Sequence, residues 1–323
     1  MANRVIRRTV ILAAIESLYG TLATLTGAAN AMLVSNLTIN PLNAQNVSRD
    51  LIRPFFGGSE QLVGTRYVEC SFDIELVGAG AGLALPCGPL LLACGMAETL
   101  TAGIRSDYTL VSDAITSVSI EWYDDGVVHR LLGARGNVEL DLVSGNRPVF
   151  KFSFTGLVGT VAAASNPTPV YTAFKTPQVV TDANTADLFL GCTHSTTGAP
   201  ALAGGTSFPS QGLSLNLGNS VNHIPLIGGE SVEITQRETT GSCQLDLTAA
   251  DEVTAFAAVN AATLTSVGIV HGTVVGQRTL VFMPFVQRIN PSKVDLQGKR
   301  LIGYDLRVIP SAGNDEIRIV TGF

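Results

Sequence analysis

The stretch Tyr67-Val68-Glu69-Cys70-Ser71-Phe72-Asp73-Ile74-Glu75-Leu76 alternates without exception. Val68, Cys70, Phe72, Ile74 and Leu76 are apolar, and Tyr67, Glu69, Ser71, Asp73 and Glu75 fall between them. Successive side chains of a strand point to opposite faces, so this period of two predicts a strand with one buried face and one wet, acidic face.

The same pattern recurs at Val138 to Val143, where Glu139 and Asp141 oppose Val138, Leu140 and Leu142, and at Val149 to Phe154, where Lys151 and Ser153 oppose Phe150, Phe152 and Phe154. Ser117 to Trp122 and Val127 to Leu132 read as two more strands, joined through the turn signal Asp124-Asp125-Gly126. The expected strand core is Val68, Phe72, Ile74, Phe150, Phe152 and Phe154. A solvated sheet face normally mixes Lys with Glu to limit like-charge repulsion. Here Glu69, Asp73, Glu75, Glu139, Asp141 and Asp246 lie on polar faces on which Lys151 is the exceptional cation, which marks those six as a candidate acidic surface.

The second half of the chain repeats the first in order. Pro54-Phe55-Phe56-Gly57-Gly58 corresponds to Pro225-Leu226-Ile227-Gly228-Gly229, and Cys70-Ser71-Phe72-Asp73-Ile74 to Cys243-Gln244-Leu245-Asp246-Leu247. A helix-like run near Leu91 has a counterpart at Asp251 to Asn260, with Asp251 as the candidate cap and Val253, Phe256 and Val259 on one face. Ile115 to Ile120 matches Leu264 to Ile269, and Phe150 to Phe154 matches Leu301 to Leu306. The expected architecture is mainly β, with two duplicated β-sandwich or barrel domains, each flanked by a short helix. The expected division is 1–157, a connector at 158–210 rich in Ala, Thr, Ser, Pro and Gly, and 211–323. Residues 1–64 read as a long irregular arm punctuated by Pro41, Pro54 and Gly57-Gly58.

Composition bounds the function. Of 323 residues, 46% are apolar and only 14% charged, which suits a chain that hides surface on several sides. A formal charge of −6 argues against a protein that grips nucleic acid through clustered Lys and Arg. The five Cys (70, 87, 94, 192, 243) form no close pair and read as buried thiols in a reducing compartment. The apolar run Val10 to Ile15 behind Arg4, Arg7 and Arg8 is too short for an export signal, and no run approaches the ~20 apolar residues of a membrane span.

No constellation for catalysis stands out, and no cofactor or metal is expected. Gly78-Ala79-Gly80-Ala81-Gly82 lacks the following Lys-Ser/Thr of a phosphate loop. The four His (129, 194, 223, 271) are scattered, and Cys192 with His194 is a lone pair better read as loop. Asp124-Asp125 reads as turn chemistry, not as a catalytic carboxylate pair.

Ala134-Arg135-Gly136-Asn137-Val138-Glu139-Leu140 and Arg147-Pro148-Val149-Phe150-Lys151-Phe152-Ser153-Phe154-Thr155-Gly156-Leu157 resemble the major tail tube proteins of long-tailed bacteriophages. Glu16-Ser17-Leu18-Tyr19-Gly20 and Leu306 to Glu316 do so too, and the subgroup resembled is that of Pseudomonas-type siphophages. The resemblance implies a structural virion protein, not an enzyme, whose rings stack into a tube that conducts the genome into the host. Single-domain members form hexameric rings, so a duplicated chain implies three copies per ring. Implied partners are further copies of itself, a tape measure protein in the lumen, tail terminator and tail tip proteins, and phage DNA in transit; no membrane is implied. The implied location is the virion tail, after assembly in the host cytoplasm. The six acidic residues then become candidates for the lumen wall. A tail terminator, another ring-forming virion protein, and a surface β-sandwich binding module are the alternatives.

Overall fold

A computed structural model describes residues 4–323. The alternating segment is the second arm of a long hairpin, β2 (Ser35–Ser48) and β3 (Gln61–Glu75), preceded by β1 (Thr9–Ile15). Then follow α1 (Gly88–Ala93), a hairpin of β4 (Met96–Thr101) and β5 (Arg105–Leu110), and a meander of β6 (Val118–Asp124), β7 (Val127–Val143) and β8 (Val149–Val158). After the short β9 (Leu188–Leu190) the plan recurs. A long hairpin runs out through β10 (Ser210–Asn216) and β11 (Asn219–Leu226) and back through β12 (Gly229–Arg237) and β13 (Thr240–Leu245). Then come α2 (Ala249–Asn260) and a meander of β14 (Leu264–His271), β15 (Thr279–Leu296) and β16 (Lys299–Val308). The strand β17 (Arg318–Thr321) closes the described chain.

Pairing confirms the correspondence strand by strand. Cys70 lies between Ile39 and Phe154, and Cys243 between Leu213 and Tyr304. Likewise β1 pairs with β6 as β9 pairs with β14, and β7 sits between β6 and β8 as β15 sits between β14 and β16.

The central feature is one continuous antiparallel sheet in the order β2–β3–β8–β7–β10–β13–β16–β15. The first four strands come from the first repeat and the last four from the second, joined at β7–β10. Both β7 and β15 are long because each serves two sheets. In β7 a register shift between Leu132 and Arg135, with Gly133 at φ +57°, turns the strand out of the long sheet to pair with β6. In β15 the shift falls between Ile289 and Ser292, with Asn290 at φ +51°.

Residues 9–15 are not part of an irregular arm. β1 is a core strand with Val10, Ile11, Leu12 and Ala13 buried, zipped along β6 from Thr9 opposite Asp124 to Ile15 opposite Val118. The apolar run that superficially resembled an export signal is thus a strand. Residues 35–48 are likewise ordered, as β2. The stretch 158–210 also departs from a plain connector, because β9 joins the second repeat's covering strands.

The apolar face of the long sheet is covered by the β1/β6 pair and α1 in the first repeat and by the β9/β14 pair and α2 in the second. Between the layers Phe72, Phe150, Phe152 and Phe154 form a stack with ring centroids 5.9–6.0 Å apart, and Val68 and Ile74 are buried beside them. Each such aromatic removes on the order of 150–250 Å² from water and anchors the core. The repeats also interlock: β5 pairs with β17, which pairs in turn with β15, so a hairpin of the first repeat extends the second repeat's covering sheet.

Two details of α2 differ from expectation. Thr248, not Asp251, is the cap, its Oγ1 accepting the Asp251 N–H at 3.2 Å. The helix buries Ala255 and half-buries Phe256 and Val259, while Val253 lies outside at 72% exposure. In α1, Pro89 stands in the first turn, where its missing N–H costs nothing.

Candidate functional surface

The register assigns the predicted acidic residues to one face. Asp73 and Glu139 flank Lys151 on opposite sides, and Asp141 lies two residues along β7 from Glu139. Glu69 and Glu75 share the parity of Asp73 along β3, and Asp246 follows β13. Across the junction the face continues with Ser214 opposite Asp141 and Asn216 opposite Glu139, then Ser242 and Thr240 on β13. The long sheet thus has an apolar face turned to the core and a polar face, one end of which meets β11: His223 packs on Tyr67 at 5.2 Å, and the Asn219 N–H donates to Asn137 at 3.0 Å.

The acidic face is not free of cations. Arg147 reaches Glu75 at 3.1 Å, Lys151 reaches Asp141 at 2.8 Å, and Lys299 pairs with Asp246. Arg147 enters from the loop between β7 and β8, and Lys299 opens β16. Neither was visible as part of the face, because neither lies inside an alternating run. The Lys151 ammonium is held above its ordinary value, chiefly by its hydrogen bond to Asp141, with Glu139 and Asp73 adding attraction.

Glu69, Asp73 and Glu139 make no ion pair among the described residues. Each accepts instead from an asparagine amide on the adjacent strand: Asn43 to Glu69 at 2.8 Å, Asn36 to Asp73 at 2.6 Å, and Asn216 to Glu139 at 2.8 Å. A neutral donor orients a carboxylate without cancelling its charge. These asparagines had no signal in the alternation, since Asn in a strand pattern reads only as polar. Near Glu69 the face dips into a cleft of about 450 Å³ lined by Asn40, Ser71, Asn137 and Asn219.

The remaining candidates have structural roles. Asp125 and Gly126 form the turn between β6 and β7, with φ of +42° and +105°. Asp124 pairs with Arg4, and Asp125 accepts the Val5 N–H at 2.7 Å, so both carboxylates tether the segment leading into β1. All five cysteines are buried and free; burial pushes the thiols of Cys70, Cys87 and Cys243 up to about 12. The described residues contain no cluster of three or more metal-ligating side chains, and His194 stacks on Phe282 at 5.3 Å. Among the described residues no helix is long and apolar enough to cross a membrane.

Taken together, the fold defines a β-rich protein with a duplicated sandwich, a continuous sheet left open at both ends, and a polar wall where a cofactor pocket would otherwise be sought. The family model described as "Phage tail tube protein" matches residues 6–308, so the chain belongs to the phage tail tube protein family, a structural component of the virion tail that assembles into a tube. No curated protein matches the chain.

Proposed function

We propose that three copies of this chain form a closed ring of six similar sheet units, and that stacked rings make a tube whose lumen is lined by the polar face of the long sheet. Residues 1–157 and 211–323 supply the two units, with β4 and β5 of the first lent to the second. The observation that carries this reading is the β7–β10 junction. It joins two equivalent four-stranded units side by side, and the β2 and β15 edges left over are the counterparts of the two edges it uses. A heterologous contact that repeats its own geometry closes into a ring when the rotation fits.

The wall chemistry supports passage of a polyanion. Fixed carboxylates repel phosphate only within about one Debye length, ~8 Å at physiological salt, which keeps DNA from adhering without opposing movement along the axis. The cations on the face are tied to carboxylates and offer phosphate little free charge. Before genome release the same lumen holds a tape measure protein, and the tube ends meet terminator and tip proteins. Assembly takes place in the host cytoplasm.

The test is a Glu69→Lys, Asp73→Lys, Glu139→Lys triple variant in assembled phage. The expected result is intact tubes with slowed or blocked genome release. Release at the normal rate from those particles refutes the lumen assignment.

A further inference from the structure

The internal junction is a template with a defined register. On β10, Gly212, Leu213, Ser214, Leu215 and Asn216 lie opposite Val143, Leu142, Asp141, Leu140 and Glu139 of β7. Leu142, Leu213, Leu140 and Leu215 are all buried there. Ser214 donates to Asp141 at 3.0 Å and Asn216 to Glu139 at 2.8 Å. The approach is close enough that a Cβ on Gly212 (φ +106°) would stand 1.9 Å from the Leu142 carbonyl oxygen.

The repeat carries this register onto the two open edges. Asn40 lies opposite Glu69 as Ser214 lies opposite Ser242, and Asn43 lies opposite Tyr67 as Asn216 lies opposite Thr240. On the other side, Val138 lies opposite Phe152 as Lys293 lies opposite Ile302. Counting on from that pair, Val294 stands in the place of Glu139 and Leu296 in the place of Asp141. Among the described residues β2 pairs only with β3, and residues 292–296 of β15 pair only with β16.

We infer that residues 40–43 of β2 in one copy add antiparallel to residues 294–296 of β15 in a second copy, with Asn43 opposite Val294 and Asn40 opposite Leu296. The inference rests on the ring reading above and gives its contact an atomic register. Two features of the edges bear on a second copy. Leu42, 50% exposed, lies in the two-residue bulge Pro41-Leu42 that replaces the buried Leu215, and across the new junction Asp295, already bonded to the Gly298 N–H, stands in the place of Leu140. The side chains of Asn40 and Asn43 are already engaged, with each other and with Glu69, so the incoming strand is met by backbone groups. Such edge addition takes its affinity from main-chain hydrogen bonds.

Directly opposite residues of an antiparallel pair bring their Cβ atoms within roughly 4.5–5.5 Å, close enough for a disulfide. The native thiols are buried and offer little background. Two double variants, Asn43→Cys with Val294→Cys and Asn40→Cys with Leu296→Cys, are assembled, oxidised and run on a non-reducing denaturing gel. The expected product is a ladder ending in a covalent trimer for both pairs, and monomer for the slipped pair Asn43→Cys with Asp295→Cys, whose side chains face opposite ways. Rings that form normally but cross-link through the slipped pair overturn the register and leave the tube reading standing. Hydrogen exchange on the unmodified chain covers any folding defect. Amides of 40, 42, 43 and 294–296 gaining no protection on assembly overturn the contact itself, whereas a chain that never assembles overturns the tube reading beneath it.

Discussion

The backbone N–H of Val232 donates a 2.6 Å hydrogen bond to the hydroxyl of Tyr19, 213 residues earlier in the chain. Tyr19 lies in the loop after β1, and its ring packs over Gly133 and under the Arg135 guanidinium, 5.2 Å from its centroid. Arg135 in turn donates to the Val232 carbonyl at 2.7 Å and pairs with Glu233. The first repeat thus clasps the second repeat's hairpin, β11 and β12, and fixes how the two units sit.

Replacing Tyr19 with Phe removes the acceptor and leaves the Val232 N–H without it, a cost of about 1 kcal/mol. Gly133→Ala is expected to cost more. Its Cβ would stand 2.7 Å from the Tyr19 ring, at a φ of +57° that non-glycine residues seldom adopt. Denaturant titration of the unassembled chain checks both, and equal midpoints for wild type and Gly133→Ala would refute the clasp.

Phe152 stands in the middle of the aromatic stack, 2% exposed. Truncation to Ala should destabilise the subunit by roughly 3–5 kcal/mol, whereas Ser153→Ala, one residue along on the polar face, should change stability by less than about 0.5 kcal/mol. A comparison of the two unfolding midpoints tests which face of β8 holds the fold.

His271 predicts an acid-sensitive fold. Buried at the end of β14, it donates from Nε2 to the Gln178 carbonyl (3.1 Å), and its Nδ1 lies 2.8 Å from the Thr185 hydroxyl; the carbonyl bond favours the charged ring, but burial outweighs it. Burial lowers its pKa below the ordinary 6.5. The unfolded chain therefore takes up this proton first as pH falls, so stability is full above about 6.5 and declines below it. His271→Gln should flatten the slope of stability against pH between 6.5 and the lowered value. An unchanged slope would assign the acid sensitivity elsewhere, with His129 and His194, lowered by the same cause, next in line.

The hairpin tips differ between the repeats. The β2–β3 tip spans residues 49–60 and exposes Leu51, Ile52, Phe55 and Phe56; the tip between β11 and β12 exposes only Leu226 and Ile227. Exposed apolar groups on this scale mark contacts with other protein. Phe55→Ser with Phe56→Ser should leave subunit stability unchanged while shortening or abolishing tubes seen by electron microscopy. Normal tubes from that variant would exclude the tip from contacts between rings.

The sheet and its two faces were legible because alternation is a local property: Val68 to Leu76 and Phe150 to Phe154 each state their burial residue by residue. The repeat was legible through hairpin tips and the two cysteines, Cys70 and Cys243, which occupy equivalent sites. What escaped depends on distant pairing. Thr9 to Ile15 lacks polar alternation because β1 is covered on both sides, so it read as part of an irregular arm and not as a strand. β4 and β5 were unreadable as part of the second repeat's sheet, since only their pairing through β17 puts them there. The cations on the acidic face come from a loop and a strand end, outside any periodic run, and Asn36, Asn43 and Asn216 become meaningful only beside their carboxylates.

The measurement that bears most directly on the account is electron microscopy, with rotational averaging, of purified assembled protein and of particles that contain it. Hollow tubes built of threefold rings with six similar lobes, each copy giving two lobes joined as β7 joins β10, are the predicted result. Rings of six whole chains would contradict the duplicated-unit ring, and dispersed monomers in every sample would contradict the tube itself.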